Sequence, residues 1–453
     1  MKIKLRFDEK VMIAFLEALE AAETRKPAQV YKREVFRRYG LLGTRYDRVF
    51  TAIMYKMLRM AGVLDRAVAW ALGVPVSEVE SWDPLLRQSL RLAAFIAQFD
   101  DVKDRGLAYA LTRYGMKYVA SRLGWREARK IHRVLTKLWD NPWKPQSREE
   151  ELMVKYLVPP ILVESVTPLL DPGEMEEFLE ALNREPVNSL RVNSLKANVE
   201  EVLWELRSSG LEAWPSERVP GVVRYRGPFN QILQRLVEEG KVVPQDESSA
   251  AAALLVDPKP GEFIVDLCAA PGGKATHMAE LSRLQARIVA FDIHWDRLER
   301  MKMLVEATGT SQAIAMVKGD ALNAPKILGR GVADKVLLDP PCSTTGSLHK
   351  NVDARWRLRR EKIEELAETQ KKMLAAGVEV LKPGGRLVYT VCSVLPQEGE
   401  YVVKWALETL PVKLVPVDGP YDASPLLPGA MRAWPHRHGV TGFFYAVLEK
   451  TRG

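Results

Sequence analysis

Cysteine and histidine are scarce in this chain. The 453 residues contain three cysteines, Cys268, Cys342 and Cys392, and six histidines. The cysteines are far apart, and none lies in a CxxC spacing or beside a histidine pair. We therefore expect neither a disulfide framework nor a bound metal, and we expect a reducing, cytoplasmic location. Each cysteine is then either a small buried residue or a group with chemistry to perform.

Long apolar runs are also missing. No stretch approaches the roughly 18 consecutive apolar residues that a membrane span requires. The N-terminal sequence MKIKLRFDEK has no apolar run behind its charges, so we expect no signal peptide and no membrane partner. The composition, 47% hydrophobic and 27% charged, is that of a soluble protein with two or three domains. Nothing in the sequence indicates an oligomeric state, and a monomer is the simplest expectation.

Acidic residues are under-represented only at the N-terminal end. Residues 1–150 contain 29 Lys and Arg against 18 Asp and Glu, whereas the other 303 residues contain 37 against 40. A basic excess confined to one end suits a polyanion such as nucleic acid. A helical domain that happens to be basic would explain the same counts.

The apolar pattern divides the chain into segments. Repeats at three and four residues over 11–22, 49–61, 84–99, 106–123 and 125–139 predict an all-α domain at 1–140. A polar stretch with prolines predicts a linker at 141–151. Mixed signals at 152–245, among them a helix near 173–183 and a strand at 189–195, predict a small α+β subdomain.

From residue 246 to 453 the pattern predicts an α/β domain. Five short apolar runs, at 263–267, 287–292, 313–317, 335–339 and 386–391, are mostly separated by helical stretches. Strands that alternate with helices are typical of a parallel sheet covered on both faces. Such sheets bind ligands at the carboxyl ends of their strands.

A glycine-rich turn follows the first of these strands. Pro271-Gly272-Gly273 allows a tight turn and a close approach of the backbone to a ligand before a helix begins. The turn is not a phosphate-binding P-loop, because Cys268 and Ala275 stand where that motif requires Gly and Ser or Thr. It is not the dinucleotide fingerprint either.

Three successive strands end with an aspartate. Asp292 lies 19 residues after Gly273, a distance at which an acid can accept hydrogen bonds from ribose hydroxyls. Asp320 can accept from an exocyclic amine such as that of adenine, and Asp339 closes the fourth strand. Each of the three could instead be a helix N-cap. Together, beside a glycine turn, they predict a pocket for a nucleoside without a phosphate tail.

Two of the three cysteines also lie at strand ends. Cys342 follows the fourth strand in LLDPPCSTTG, and Cys392 closes the fifth in YTVCSVLPQEGE. Doubly wound order brings these strands near the first, so both sulfurs could face the cofactor across one cleft. Lys274 could supply the positive charge that an activated thiolate needs.

Several motifs together resemble one family. DLCAAPGGK (266–274), DPPCSTTG (339–346) and YTVCS (389–393) are similar to the signatures of the Fmu/Sun-type RNA (cytosine-5) methyltransferases. The similarity extends to LRVNSLK (190–196), PQDESSA (244–250) and RAWPHRHGVTGFFYA (432–446), and it covers roughly residues 150–450. The segment at 83–100 resembles, less sharply, a NusB-like domain. The resemblance implies a Rossmann-like methyltransferase domain, preceded by an α+β RNA-binding subdomain and an all-α NusB-like domain that also binds RNA.

S-adenosyl-L-methionine is the cofactor that this resemblance implies. The residues that would wrap its methionine and ribose end are Cys268, Ala269, Ala270, Pro271, Gly272, Gly273 and Lys274. Asp292 would then hold the ribose hydroxyls, and Asp320 the adenine amine. Asp339 would border the methyl donor, and Arg297 would add a contact.

The implied reaction is methylation of C5 of a cytosine in RNA. Cytosine C5 is a poor nucleophile, and a thiolate that adds to C6 makes C5 enamine-like. In this family the cysteine after the fifth strand attacks C6, which predicts Cys392 as the nucleophile and Cys342 as the residue of the release step. The reverse assignment stays open, since the DNA cytosine-5 enzymes use the other cysteine. Asp339, beside Lys274 and either protonated or sharing a proton with the base, would hydrogen-bond near N3 and offset charge that develops on the ring.

The sequence says less about which RNA is the substrate. The NusB-like segment favours ribosomal RNA over transfer RNA, and a ribosome assembly factor that binds RNA without catalysis is the alternative of another class. The basic stretch at 347–360, with Trp356, predicts contacts to phosphates and bases. We also expect His436 and His438 to face the RNA or the cleft.

Overall fold

Two units make up the chain, Met1–Pro160 and Ile161–Gly453. The structure is a computed structural model that describes residues 7–25, 28–100, 104–171, 173–185 and 187–452. Residues 1–6 therefore lie outside the described part. They begin the N-terminal stretch in which no signal peptide is expected.

The first unit is built from helices. Its helices are α1 (Glu9–Thr24), α2 (Ala28–Arg38), α3 (Arg45–Leu72), α4 (Val76–Ser81), α5 (Pro84–Ala94), α6 (Arg105–Ala110), α7 (Met116–Leu123), α8 (Trp125–Asp140) and α9 (Arg148–Tyr156), and π-helical turns follow α5 at Phe95–Phe99 and α6 at Leu111–Gly115. The helical prediction is confirmed, while the likeness to NusB stays a prediction.

Spacing along α8 explains why these segments fold as helices. Ala128, Ile131, Val134, Leu135 and Leu138 are buried, and they recur every three or four residues on one side of the helix. The opposite side is rich in arginine and lysine and faces solvent. Burial of one apolar stripe per helix is what stabilises the first unit.

The predicted linker at 141–151 packs against this unit. Trp143 is buried, its backbone N–H donates to Gln98 Oε1 at 3.0 Å, and its carbonyl accepts from Gln98 Nε2 at 2.7 Å. The last four residues of the stretch begin α9, whose N-cap Ser147 accepts from the backbone N–H of Glu150. The division between the units falls at Pro160 instead, because a large apolar side chain and a good N-cap order the polar stretch.

The second unit contains the remaining elements. Its helices are α10 (Pro160–Val166), α11 (Glu174–Ala181), α12 (Val199–Ser208), α13 (Gln231–Glu238), α14 (Glu247–Val256), α15 (Gly273–Leu281), α16 (Trp295–Thr308), α17 (Ala324–Leu328), α18 (Arg360–Val380), α19 (Glu400–Thr409) and α20 (Pro435–His438). Its strands are β1 (Asn188–Val192), β2 (Glu212–Pro215), β3 (Val222–Arg226), β4 (Val242–Pro244), β5 (Phe263–Asp266), β6 (Arg287–Asp292), β7 (Ile314–Lys318), β8 (Ala333–Leu338), β9 (Leu381–Val391), β10 (Val412–Val415), β11 (Asp422–Ala423), β12 (Met431–Ala433) and β13 (Phe443–Lys450). Four short 3-10 helices, Thr167–Leu169, Ala321–Asn323, Thr345–Ser347 and Val352–Arg357, complete the unit.

The larger sheet has the doubly wound arrangement. Its strand order is β11-β12-β13-β9-β8-β5-β6-β7, with β10 paired to β13. The pairs from β9 to β7 are parallel, and β13 runs antiparallel to β9. Because β8 lies beside β5 and β9 beside β8, the carboxyl ends of the predicted first, fourth and fifth strands are neighbours. The predicted α/β fold is confirmed.

A second, smaller sheet precedes it. Strands β2, β3, β1 and β4 pair antiparallel in that order, and α12 and α13 pack against them over residues such as Leu206 and Leu236. The predicted strand at 189–195 ends at Val192, because the next side chain, Asn193, donates to the carbonyls of Gly240 and Thr308.

Candidate active site

A cleft of about 510 Å³ opens at the carboxyl ends of the parallel strands. The predicted site residues that line it are Cys268, Ala269, Ala270, Pro271, Gly273, Lys274, Asp292, Arg297, Asp320, Asp339, Cys342 and Cys392. The order of the strands explains this convergence, since parallel strands deliver their following loops to one edge of the sheet.

Gly272 is the one predicted cofactor residue that is not among the lining residues. Its φ is +104°, and a Cβ there would lie 2.8 Å from Met301 Cγ on α16. The position therefore needs glycine for the turn and for close packing of α15 against α16. Its neighbour Gly273 does line the cleft, where a Cβ would meet the amide of Gln245 at 3.4 Å.

Two aspartates lie at one end of the cleft. Asp292 ends β6, accepts the backbone N–H of His294 at 2.9 Å and lies 3.1 Å from Arg297 Nη1. The guanidinium of Arg297 also donates to the carbonyl of Ala270 and so ties α16 to the glycine turn. Asp320 caps a short 3-10 turn through Leu322 N–H at 3.0 Å. Asp320 thus caps a helical turn, Asp292 holds the turn that follows β6, and both line the cleft.

Lys274 and Asp339 form an ion pair in the middle of the cleft. Lys274 Nζ lies 2.6 Å from Asp339 Oδ2, and Thr390 Oγ1 donates to Asp339 Oδ1 at 3.2 Å. Burial disfavours the charged form of Lys274, but the carboxylate of Asp339 outweighs it, and the pKa of Lys274 is raised. The charge of Cys392 raises the pKa of Lys274 further. A cation is therefore held next to the second sulfur.

Cys342 and Cys392 meet in the cleft. Their Sγ atoms are 3.2 Å apart, although 50 residues separate them in the chain. The hydrogen bond with Cys392 and burial raise the pKa of Cys342 well above its ordinary value, and the charges of Glu398 and Asp339 add to the effect. The thiol form of Cys342 is therefore favoured, and a hydrogen bond joins the two sulfurs.

Two further groups border the first strand. Burial raises the pKa of Asp266 to about 7, against the attraction of Lys274. Burial also raises the pKa of Cys268. Cys268 is thus a poor nucleophile, whereas it remains suited to contact a cofactor.

The far wall of the cleft contains residues that the sequence analysis did not assign. Gln245 and Asp246 lie in the turn between β4 and α14, and Ser249 lies in α14. Gln245 Oε1 accepts from the buried Arg191 at 2.9 Å, and Asp246 accepts from Thr441 at 3.0 Å. Only the family motif PQDESSA pointed to this segment, because no spacing rule connects it with strands that come later in the chain.

Three predicted RNA-facing residues are directed inward, which corrects those predictions. Arg355 is buried and donates to Asn183 Oδ1 and to the carbonyl of Leu182. The side chain of His436 is buried and packs edge-on to two aromatic rings, and burial lowers its pKa to about 4. His438 is buried and accepts the backbone N–H of Trp434. Each side chain anchors a loop to its own unit.

Within the described residues, no group of three or more His, Cys, Asp or Glu residues could hold a metal ion. No single described helix is long and apolar enough to cross a membrane, although one bent pair, Arg148–Tyr156 with Pro160–Leu169, meets the same test of length and composition.

Known protein families match two segments of the second unit. A family profile described as 16S rRNA methyltransferase RsmB/F matches residues 253–449, and one described as the ferredoxin-like domain of RsmF/B-like methyltransferases matches residues 162–230. The ribosomal RNA small subunit methyltransferase B of Klebsiella pneumoniae is 34% identical over 314 residues, which are 68% of this chain and 71% of that protein. The chain belongs to the RsmB/F methyltransferase family. The Fmu/Sun resemblance is thereby confirmed.

Other known proteins match over different lengths. The protein of the same name from Salmonella paratyphi B is 36% identical over 279 residues, so the match spans 62% of this chain and 63% of that relative. The crystal structure of PH0851 is 41% identical, with a TM-score of 0.82 over 99% of this chain and 100% of that one. NSun6 from Pyrococcus horikoshii, solved with SFG, is 25% identical, with a TM-score of 0.58 over 65% of this chain and 99% of that one.

Proposed function

We propose that this protein transfers a methyl group from S-adenosyl-L-methionine to C5 of a cytosine in ribosomal RNA. The observation that carries the proposal is the pair of sulfurs, Cys342 and Cys392, 3.2 Å apart in a cleft that also holds the Lys274–Asp339 ion pair. Cytosine C5 needs a nucleophile at C6, and a thiol beside a cation supplies one. The names of the relatives favour ribosomal RNA.

The residues of the cleft fit this cofactor. Asp292 and Asp320 offer carboxylate oxygens to ribose hydroxyls and an amine, while Ala269, Ala270 and Pro271 give a close, apolar wall. Among the described lining residues, the cations Lys274 and Arg297 are paired with aspartates, so a phosphate tail would have to compete for them. When bound, the cofactor supplies an electrophilic methyl group.

Cys392 is the nucleophile in this proposal. In this proposal Cys342 stays a thiol, which the raised pKa of Cys342 favours, and Cys392 is the sulfur that becomes the thiolate. Lys274 favours negative charge on that sulfur. The thiolate of Cys392 would bond to C6, the electron pair of the C5–C6 double bond would move to C5, and C5 would take the methyl group as the bond between that methyl group and the sulfonium sulfur breaks. Asp339, held by Lys274 and Thr390, meets the base near N3, and a proton drawn from Lys274 and shared between the Asp339 carboxyl group and N3 offsets the negative charge that develops on the ring.

Release requires a second step. The C5 proton passes to water in the open cleft, the electrons of the C5–H bond restore the C5–C6 double bond, and the C6–S bond breaks to return the thiolate of Cys392. Cys342 lies against the attacking sulfur and so is placed to assist this elimination. The methylated RNA is then free to dissociate.

The first unit contributes RNA binding in our proposal. Arg126, Arg129, Arg133 and Lys137 are exposed and lie along one side of α8, opposite its buried stripe. Such a stripe matches the phosphate backbone of RNA. Replacement of all four by alanine should weaken RNA binding and lower the slope of log K against log salt by about 3. An unchanged slope would contradict this role.

Mass spectrometry of methylated RNA tests the reaction itself. The protein is incubated with the cofactor and with small-subunit ribosomal RNA transcribed in vitro, and the digested nucleosides are analysed. We expect 5-methylcytidine, and we expect none from Cys392→Ser. A methyl group on N4 or on the ribose would contradict the chemistry, and product formed from transfer RNA transcripts alone would contradict the substrate.

A further inference from the structure

One buried carboxylate beside the cleft has no part in the steps above. Glu398 lies in the loop between β9 and α19 and is 0% exposed. Its Oε1 accepts from the backbone N–H of Ser343 at 2.8 Å and from Gln370 Nε2 at 3.1 Å. Its Oε2 accepts from Ser393 Oγ at 2.6 Å and also from Ser343 Oγ. Each carboxylate oxygen therefore accepts two hydrogen bonds.

The donors belong to the two cysteine loops. Ser343 directly follows Cys342, and Ser393 directly follows Cys392. One carboxylate thus binds the residue after each sulfur. Further contacts connect the same loops, since Thr345 Oγ1 and Ser393 Oγ are 2.9 Å apart. These hydrogen bonds tie the two loops together at the residues that follow the two sulfurs.

A neighbouring carboxylate shows what a purely structural role looks like. Glu400 is equally buried, and it forms an ion pair with Arg432 that compensates its charge. The donors recorded for Glu398 are amides and hydroxyls without charge. Burial of a carboxylate that is held only by neutral donors costs free energy on folding. We therefore expect the charge and the geometry of Glu398 to have a functional role.

We propose that Glu398 is a positioning residue that holds the sulfurs of Cys342 and Cys392 at contact distance. The inference rests on the proposed function, in which one sulfur attacks C6 and the other assists release. The negative charge of Glu398 also contributes, after the hydrogen bond with Cys392 and burial, to the raised pKa of Cys342. Glu398 therefore favours the arrangement in which Cys342 stays a thiol and can donate a hydrogen bond to the sulfur of Cys392.

The spacing of the sulfurs can be measured without RNA or methyl donor. The protein is equilibrated in buffers of reduced and oxidised glutathione, and the fraction with a Cys342–Cys392 disulfide is determined by mass spectrometry. This fraction reports the effective concentration of one thiol at the other. Glu398→Ala should lower it at least about tenfold, because the loops separate. The matched variant Glu408→Ala, on the exposed side of α19, should match the wild type. An effective concentration within about twofold of wild type in folded Glu398→Ala would overturn the proposal.

A second variant covers the case in which Glu398→Ala does not fold. Glu398→Gln keeps the volume and most hydrogen bonds but removes the charge. In a Cys392→Ser background, we expect a fall in the pH at which the alkylation rate of Cys342 is half-maximal. Below this midpoint, each pH unit of the fall should make labelling about tenfold faster. Glu408→Gln in the same background is the control. An unchanged midpoint would overturn the proposal, because a side chain that only fills space would not move it.

Methyl transfer gives the functional readout. Glu398→Gln should lower kcat and leave KM for S-adenosyl-L-methionine unchanged, since Asp292 and Asp320 are untouched. A rise in KM with kcat unchanged would contradict a role in positioning the sulfurs. If the wild type does not methylate cytosine at all, the proposed function fails, while the glutathione and alkylation results still decide the role of Glu398.

Discussion

Asp266 makes the stability of the second unit depend on pH. This carboxyl group ends β5, is buried, and has a pKa of about 7 against about 3.9 in an unfolded chain. The folded state therefore holds the proton more tightly than the unfolded state. Its contribution to stability is complete below about pH 4 and is lost as the pH rises towards 7.

The size of the effect follows from the two pKa values. The difference of about 3 units corresponds to about 4 kcal/mol in total, of which about 2.5 kcal/mol falls between pH 5 and pH 8. Asp266→Asn removes the titration, and its side-chain oxygen can still accept the backbone N–H of Cys268. Between pH 5 and pH 8, we expect the free energy of unfolding of the variant to fall by about 2.5 kcal/mol less than that of the wild type.

Urea unfolding at several pH values measures this difference. Other titrating groups, such as the buried His277, are common to both proteins and cancel in the comparison. A constant offset between the two curves would report only the change of side chain. Parallel curves from pH 5 to pH 8 would refute the reasoning, because they would mean that Asp266 titrates alike in the folded and unfolded chains.

Three further perturbations test other parts of the cleft. Asp292→Ala should weaken binding of S-adenosyl-L-methionine by about tenfold or more in calorimetry, since a charged acceptor is lost, and an unchanged affinity would exclude it from the ribose site. Lys274→Met should lower kcat by about a hundredfold, because Asp339 and the attacking thiolate lose their cation, and a loss under about threefold would exclude this role. Gly346→Ala should destabilise the protein by about 2 kcal/mol or more in urea, since its Cβ would lie 1.9 Å from the carbonyl oxygen of Gly442; a midpoint equal to wild type would contradict this packing.

The sheet could be predicted because its strands are local features. Runs such as RIVAFD at β6 are apolar, short and followed by a helical pattern, and neighbouring strands in a doubly wound sheet follow general rules. The approach of Cys342 to Cys392 was predictable for the same reason. Helices such as Ala28–Arg38 were harder to predict, because a basic segment with few apolar residues has a weak periodic signal.

The parts that escaped prediction depend on contacts between distant segments. Gln245 and Glu398 are polar residues in loops, and only the packed structure brings Gln245 to the cleft and Glu398 to the loop after Cys342. Arg355 and His436 were expected to face RNA because charge and polarity usually indicate exposure. Each is buried instead by partners elsewhere in the chain, namely Asn183 for the arginine and two aromatic rings for the histidine. Pairing of this kind leaves no local pattern.

Covalent trapping with Cys342→Ala tests the central claim most directly. The purified variant is mixed with unmodified RNA and S-adenosyl-L-methionine, denatured and run on a gel, and attached RNA is sequenced. The account predicts a stable protein–RNA adduct that disappears in the double variant with Cys392→Ala, because attack occurs and release fails. Loss of methylation without any adduct would contradict the account, since it would make Cys342 the nucleophile.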